Sequence, residues 1–219
     1  MTRNIFSIIL IFLVSVRGIS QDISISAGSG YERIVSPSHY ADPISSGGLG
    51  LRESVPVSLG INCTLPGEDL TLVISGMYRS LSGEGTTFMT GQTPSTIIST
   101  DIKTKGSVWS ASISAKWLLT GSTKGPYLEP ALLASSFRIV TTTWLQPPYS
   151  FEVSHHRTEY GFAAGGGWAI PFLWDAAIDI NARYLMEGLF SSQSGQQGLN
   201  SYQLLASIVI PVWASQSQH

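Results

Sequence analysis

From Asp22 onward, apolar and polar residues alternate with a period of two, and helical periodicity is almost absent. The clearest stretch is 109–117. Trp109, Ala111, Ile113, Ala115 and Trp117 share one face, while Ser110, Ser112, Ser114 and Lys116 share the other. Near the end, Tyr202, Leu204, Ala206, Ile208, Ile210 and Val212 share a phase opposite Gln203 and Ser207, with Leu205 and Val209 as exceptions. Six further segments follow the rule, led by Ile23, Leu49, Leu70, Leu128, Tyr160 and Trp174. In the second of these, Glu53 falls on the apolar phase, which predicts a bulge near Arg52. Eight strands of roughly 10–14 residues follow from these runs. Long connections (34–46, 82–106, 139–157, 188–200) alternate with short ones at Pro66–Glu68, Gly121–Gly125 and Pro171–Leu173. That spacing predicts a meander of antiparallel strands with long loops on one rim and short turns on the other.

Composition decides which face points outward. Only 12% of residues are charged, about half the usual figure of roughly 25%. A soluble barrel would need Lys, Glu and Asp on its outer phase. Here the polar phase is mostly Ser, Gly, Thr and Ala, which suits the narrow interior of an eight-stranded barrel. The charges on that phase come in both signs: Arg79, Lys116, Glu129, Glu159, Asp179, Arg183 and Glu187. Opposite charges that pair and hydrogen-bond can persist in a closed interior. Aromatic residues gather near strand ends. Tyr31, Tyr78, Trp109, Tyr160, Tyr184 and Tyr202 fall near the long connections, and Trp117, Trp168, Trp174 and Trp213 near the short turns or the C-terminal end. Two such rings are expected where amphipathic aromatics meet both membrane–water interfaces. Trp109 and Trp117 are separated by roughly 26 Å of strand. With a tilt of about 40° that covers roughly 20 Å of the membrane normal, near the ~25 Å apolar band of such barrels. In lipid every backbone N–H and C=O must pair within the protein, which leaves helices or closed sheets. The predicted fold is therefore all-β: an eight-stranded antiparallel up-and-down transmembrane β-barrel. The alternative from a different class is a soluble lipocalin-like barrel, which has its apolar phase inside.

The first 20 residues read as a cleaved signal peptide. Arg3 supplies the positive region, 5–16 the apolar run, and Gly18 and Ser20 the small residues before a cut at Gln21. The run is too short for a membrane-spanning helix, which needs about 20 residues. Losing Arg3 and Arg17 leaves 10 basic and 14 acidic residues, a net charge of −4. The barrel is assigned to 21–213 and a short tail to 214–219. The charge excludes a strongly basic nucleic-acid binder, and the single Cys63 excludes a disulfide scaffold. Cys63 reads as a reduced, partly buried small residue near a short turn. An intermolecular bridge is the other reading.

Three segments carry a family likeness: Gly125-Pro126-Tyr127-Leu128-Glu129-Pro130-Ala131, 160–168 (Tyr-Gly-Phe-Ala-Ala-Gly-Gly-Gly-Trp), and the final Ile210-Pro211-Val212-Trp213. Together with the eight-strand pattern over 22–213, they resemble the small outer-membrane β-barrel family that includes the OmpA membrane domain and OmpX-like proteins. In this chain Ala131 stands where a Gly is common, Pro211 interrupts the last strand, and residues 214–219 extend past Trp213. The resemblance implies a bacterial outer-membrane location, with long loops outside and short turns in the periplasm. It also implies outer-membrane lipid and lipopolysaccharide as surroundings, and the barrel-assembly machinery as a partner during insertion. Family members act as envelope structure, adhesins or small pores, and some are lipid-modifying enzymes; the fold does not choose among them.

Candidate chemistry is sparse. Ser154, His155, His156 and Glu159 form the one cluster that looks like a nucleophilic set. Outer-membrane lipid A deacylases carry a serine two positions after the histidine. Here Ser154 precedes His156 and position 158 is Thr. Two adjacent histidines without a nearby Cys make a poor metal site. Gly165-Gly166-Gly167 precedes no helix, so it reads as a place of close packing or a bulge rather than a phosphate loop. No cofactor, metal or catalytic residue is assigned. The long loops are the expected working parts, with Trp144, Tyr149 and Phe151 as binding candidates. The expected function is a non-enzymatic envelope protein that binds an extracellular partner through its loops. The alternatives are a narrow pore for small solutes, a soluble periplasmic binding barrel and a deacylase-like esterase.

Overall fold

The computed structural model describes residues 22–65, 69–90, 97–120, 124–144, 150–189 and 198–214. The strands are β1 (Asp22–Ser36), β2 (Glu53–Ser54), β3 (Val57–Thr64), β4 (Leu70–Thr90), β5 (Ile97–Leu118), β6 (Pro126–Trp144), β7 (Ser150–Pro171), β8 (Ala177–Met186) and β9 (Asn200–Ala214). A short helix, α1 (Ser38–Ala41), and a 3-10 turn at Ile44–Ser46 follow β1. Every pairing is antiparallel between neighbours, and β1 closes the ring on β9. Because β2 and β3 occupy one position in that ring, the barrel is eight-stranded.

Which face looks outward is unambiguous. Ser110, Ser112 and Ser114 are buried, while Trp109, Ile113 and Trp117 are more than 60% exposed. Ile208 is 52% exposed and faces outward, and Ile178 lies on the outward phase between buried Ala177 and Asp179. The soluble alternative requires the reverse arrangement. An exterior belt of Ile, Leu, Val and Trp on a ring with no open edge across the belt is what lipid demands.

The strands depart from expectation in length. Four of them run 19–22 residues rather than 10–14. Most of 82–106 and 139–157 is strand, not loop. These stretches lack an apolar outer phase, which made them look like connections. They still alternate, with Thr100, Thr104, Ile139 and Thr143 buried. Residues of this type favour extended chain, and above a bilayer the outer face meets water. Ile34 to Ser36 likewise extend β1 into what was expected to be loop.

Between Arg52 and Val57 the strand does not bulge but splits. Pro56 cannot donate to the ladder, yet its carbonyl accepts from the Gly30 N–H at 3.3 Å and from Ser29 Oγ at 2.9 Å. Glu53 points to solvent, and Leu51 leaves the outer series altogether to become fully buried. At the other end, β9 continues through Pro211. A register shift pairs Ser24 with Pro211 but Ile23 with Trp213, so Val212 and Trp213 are both exposed. Trp174 is in the turn before β8 rather than in a strand; its φ is 51° and it is 92% exposed.

Apolar side chains fill the interior at two levels. Ile34, Tyr40, Leu51, Leu81, Val108, Phe137, Ile139 and Leu199 form a plug at the long-strand end, beneath α1. Met77, Ala131, Leu133, Ala163 and Leu185 form a second layer deeper in the barrel.

Candidate functional site

Two polar clusters cross the interior, one on each side of the Met77 layer. The upper one centres on Arg79, only 1% exposed. Its Nη1 donates to Glu32 Oε1 at 2.8 Å, and its Nη2 to Glu187 Oε1 at 2.5 Å and Ser110 Oγ at 2.9 Å. Serine hydroxyls complete the carboxylates: Ser54 and Ser201 donate to Glu32, and Ser135 donates to Glu187, each at 2.5 Å. Strands β1, β2, β4, β5, β6 and β9, with Glu187 just past β8, all contribute to this one knot.

The lower cluster joins β5, β6 and β8. Lys116 pairs with Asp179 and lies 4.6 Å from the centre of the Tyr127 ring. Tyr127 Oη donates to Asp179 at 2.6 Å, and Asn181 Nδ2 reaches Tyr127 Oη at 3.0 Å and Glu129 at 2.7 Å. Ser114 donates to Glu129 at 2.6 Å. Arg183 projects inward as well, donating from Nε to Gln203 Oε1 at 2.9 Å and contacting Met77 Sδ at 3.4 Å. The small residues of β7 make this possible. A Cβ on Gly167 would lie 2.5 Å from Tyr127 Oη, and one on Gly165 2.5 Å from Arg183 Cβ. The register of β7 against β8 runs unbroken through all three glycines, so they serve close packing without a bulge.

Glu159 stands apart, 2% exposed beside Arg157, whose guanidinium lies 5.2 Å from both the Tyr40 and Phe137 rings. Arg157 Nε is 2.9 Å from Glu159 Oε1 but lacks the angle of a hydrogen bond. All seven charges singled out from the sequence thus point inward: Arg79 and Glu187 in the upper cluster, Lys116, Asp179 and Glu129 in the lower one, Arg183 with Gln203, and Glu159 beside Arg157. Glu32, Arg157, Tyr127 and Asn181 were not among them. Glu32 was legible, because it continues the inward series Ser24, Ser26, Gly28, Gly30.

The ten interface aromatics all lie on the outside. Tyr78 stacks on Trp109 at 4.7 Å and Tyr184 on Tyr202 at 4.8 Å, tying neighbouring strands along the upper ring. Of the loop candidates, Trp144 ends β6 and Phe151 belongs to β7, while Tyr149 lies outside the described residues. The nucleophilic set is not assembled. Ser154 and His156 face outward, whereas Glu159 is buried inside with Arg157. Among the described residues no three His, Cys, Asp or Glu side chains gather to hold a metal. Cys63 is buried and unpaired with any other cysteine. Among the described residues, what fills the barrel is the two polar clusters and the two apolar layers.

Above the upper aromatic ring, β4 to β7 continue as a four-stranded sheet. The hairpin β4–β5 stays paired out to Thr90 and Ile97, and β6–β7 out to Trp144 and Ser150. The two hairpins are joined by β5–β6 pairs up to Asp101 and Trp144. On the far side, β8 reaches only to Met186, opposite Phe162. Residues 150–158 of β7 therefore pair with β6 alone among the described strands, and all but Arg157 are exposed. At the other edge, the segment around Ile44 and Gly50 packs against Gly83 and Gly85 of β4.

No family model matches the chain, and no curated relative matches it. Among solved structures, the chain is similar to the attachment invasion locus protein Ail of Yersinia pestis. Identity is 12%, covering 88% of this chain and all of that one, with TM-scores of 0.47 and 0.49 in two crystal structures. It is also similar to Neisserial surface protein A, with 14% identity, 86% and 96% coverage and a TM-score of 0.40. The N-terminal β-barrel domain of Pseudomonas aeruginosa OprF matches at 11% identity, 87% and 99% coverage and a TM-score of 0.39. At these scores and identities the likeness carries no weight on function.

Proposed function

We propose that this chain is a non-enzymatic protein of the outer membrane of a two-membraned bacterium, anchored by its plugged barrel and binding an outside partner through the tall β4–β7 sheet. The observation that carries the reading is the edge of β7 over residues 150–158, which no described strand pairs on the side away from β6. A strand paired on one side presents a row of free N–H and C=O groups that another extended segment can match. Near the opposite edge, the chain's own 44–50 segment packs against Gly83 and Gly85 of β4. The plugged interior supplies the rigid base and argues against the pore reading: Arg79 and Glu159 stand across the lumen and are almost fully buried.

The test is adhesion of cells displaying the protein to a panel of immobilised extracellular proteins, comparing the wild type with Glu152→Pro/Ser154→Pro. Proline removes edge donors without touching the barrel. Binding that falls roughly tenfold while the folded, heat-modifiable band persists supports the proposal. Equal adhesion by both overturns it. Single-channel recording in planar bilayers tests the plug independently, and the expected result is no open-channel current.

A further inference from the structure

The outer face of the tall sheet sorts its charges by height. Trp109 and Tyr160 mark the upper aromatic ring. Four residues above Trp109 on the same face of β5 is Lys105. On β6, Arg138 is two residues above Ser136, the register partner of Trp109. His156 is the register partner of Arg138 on β7. All three are exposed on the outward phase. Lys105 is paired with Val140, which puts Arg138 at the diagonal position, roughly 7–8 Å away between backbones. Hydroxyls flank the group: Ser82 is opposite Lys105, Ser107 opposite Arg138, and Ser136 Oγ lies 3.3 Å from His156 Nε2.

Two of the outward acids on the same four strands are distant: Asp101 is four residues beyond Lys105, and Glu152 four residues beyond His156. The third, Glu84, is diagonal to Lys105 but forms its ion pair with Lys103. Of the other upper cations on described strands and loops, Arg33 is in register with Glu53, and Arg52 Nε donates to the Ala41 carbonyl at 2.8 Å. At the opposite rim, among the described residues, Asp69 and Asp175 are exposed and Lys124 is half-buried. A basic band just above the upper aromatics matches the depth and sign of phosphates in the facing leaflet.

We propose that Lys105, Arg138 and His156 clamp the phosphate of a phosphorylated glycolipid of the lipid A type in the outer leaflet. The inference rests on the outer-membrane reading and names the lipid contact within it. A guanidinium and an ammonium at this spacing engage one phosphate from two sides, and the neighbouring hydroxyls take remaining oxygens. The clamp holds the sheet's base against the membrane surface.

The experiment counts bound lipid by native mass spectrometry of the detergent-folded full chain titrated with lipid A, with the heat-modifiable band checked for every sample. Wild type is expected to bind lipid A more tightly than the Lys105→Gln/Arg138→Gln variant. The loss is roughly fivefold for each charge removed, or about 1 kcal/mol. Dephosphorylated lipid A is expected to bind both proteins equally. Equal affinity of wild type and variant for lipid A overturns the clamp. Displacement by millimolar inorganic phosphate also overturns it, because the site then takes a free anion. A wild type that never forms the folded band sinks the membrane reading instead, so the two failures are distinguishable.

Discussion

The lower and upper halves of β6 have opposite polarity. In the lower half, Leu128 and Leu132 face out while Glu129 and Ser135 face in. In the upper half, Arg138 and Thr142 look outward while Phe137 and Ile139 are buried. The same inversion runs along β5, from Ile113 out and Ser114 in, to Lys105 out and Val108 in. The backbone is continuous and keeps one alternation, so the change comes from the medium outside. Lipid pushes polarity into the lumen, where it must pair with itself; water takes it back and leaves the inner face free to pack as an ordinary apolar core.

The contrast predicts that a charge removed from the closed interior costs far more than one removed from the water-facing outside of the upper half. Arg79→Ala leaves Glu32 and Glu187 buried and uncompensated, which is expected to cost about 3–5 kcal/mol. Urea unfolding in lipid vesicles, followed by the shift of the folded band, measures it. Lys105→Gln on the exposed sheet is expected to leave that midpoint within about 0.5 kcal/mol of wild type. Equal midpoints for the two variants would show that the Arg79 knot contributes nothing beyond its packing.

A charge added to the outside is the converse case. Ile113→Arg puts a cation at the middle of the apolar belt, an expected cost of about 2–4 kcal/mol. Thr142→Arg, on the same outward phase but in the water-facing half, is expected to be near neutral. If Ile113→Arg folded as well as wild type in vesicles, the belt could not be facing lipid.

Much of this is legible in the amino-acid sequence alone. Alternation with a small-residue inner phase specified the closed barrel, and the paired signs of Arg79, Glu187, Lys116 and Asp179 pointed to the interior. What sequence reasoning missed is systematic. Reading the missing apolar outer phase within 82–106 and 139–157 as loop assumes that a strand in this protein must face lipid. Above the bilayer that requirement lapses, and the strands continue as the tall sheet. Glu32 follows the aromatic Tyr31 at the end of the first alternating run, where one acid next to a predicted loop does not stand out as inward-facing. Tyr127 and Asn181 were overlooked because they carry no formal charge, although each bonds a charged neighbour. The splitting of the second segment at Pro56 is a tertiary outcome, since β1 supplies the partners that span the gap.

The smallest effect concerns a single hydroxyl inside the lower cluster. Tyr127 sits between Asp179 and Asn181, donating to one and accepting from the other. Tyr127→Phe keeps the ring, its packing under Lys116 and the space left by Gly167. It deletes one donor to a carboxylate and one acceptor. Lys116 still neutralises Asp179, and Glu129 still accepts from Asn181. No charge is stranded, so the cost is expected to be about 1–2 kcal/mol, that of losing a hydrogen bond to a charged group. The Lys116→Met variant strands Asp179 and is expected to cost more. The order of the two unfolding midpoints therefore reports whether charge pairing or hydroxyl bonding holds the lower cluster. A Tyr127→Phe loss equal to or larger than that of Lys116→Met would assign the cluster's stability to the tyrosine and not to the ion pair.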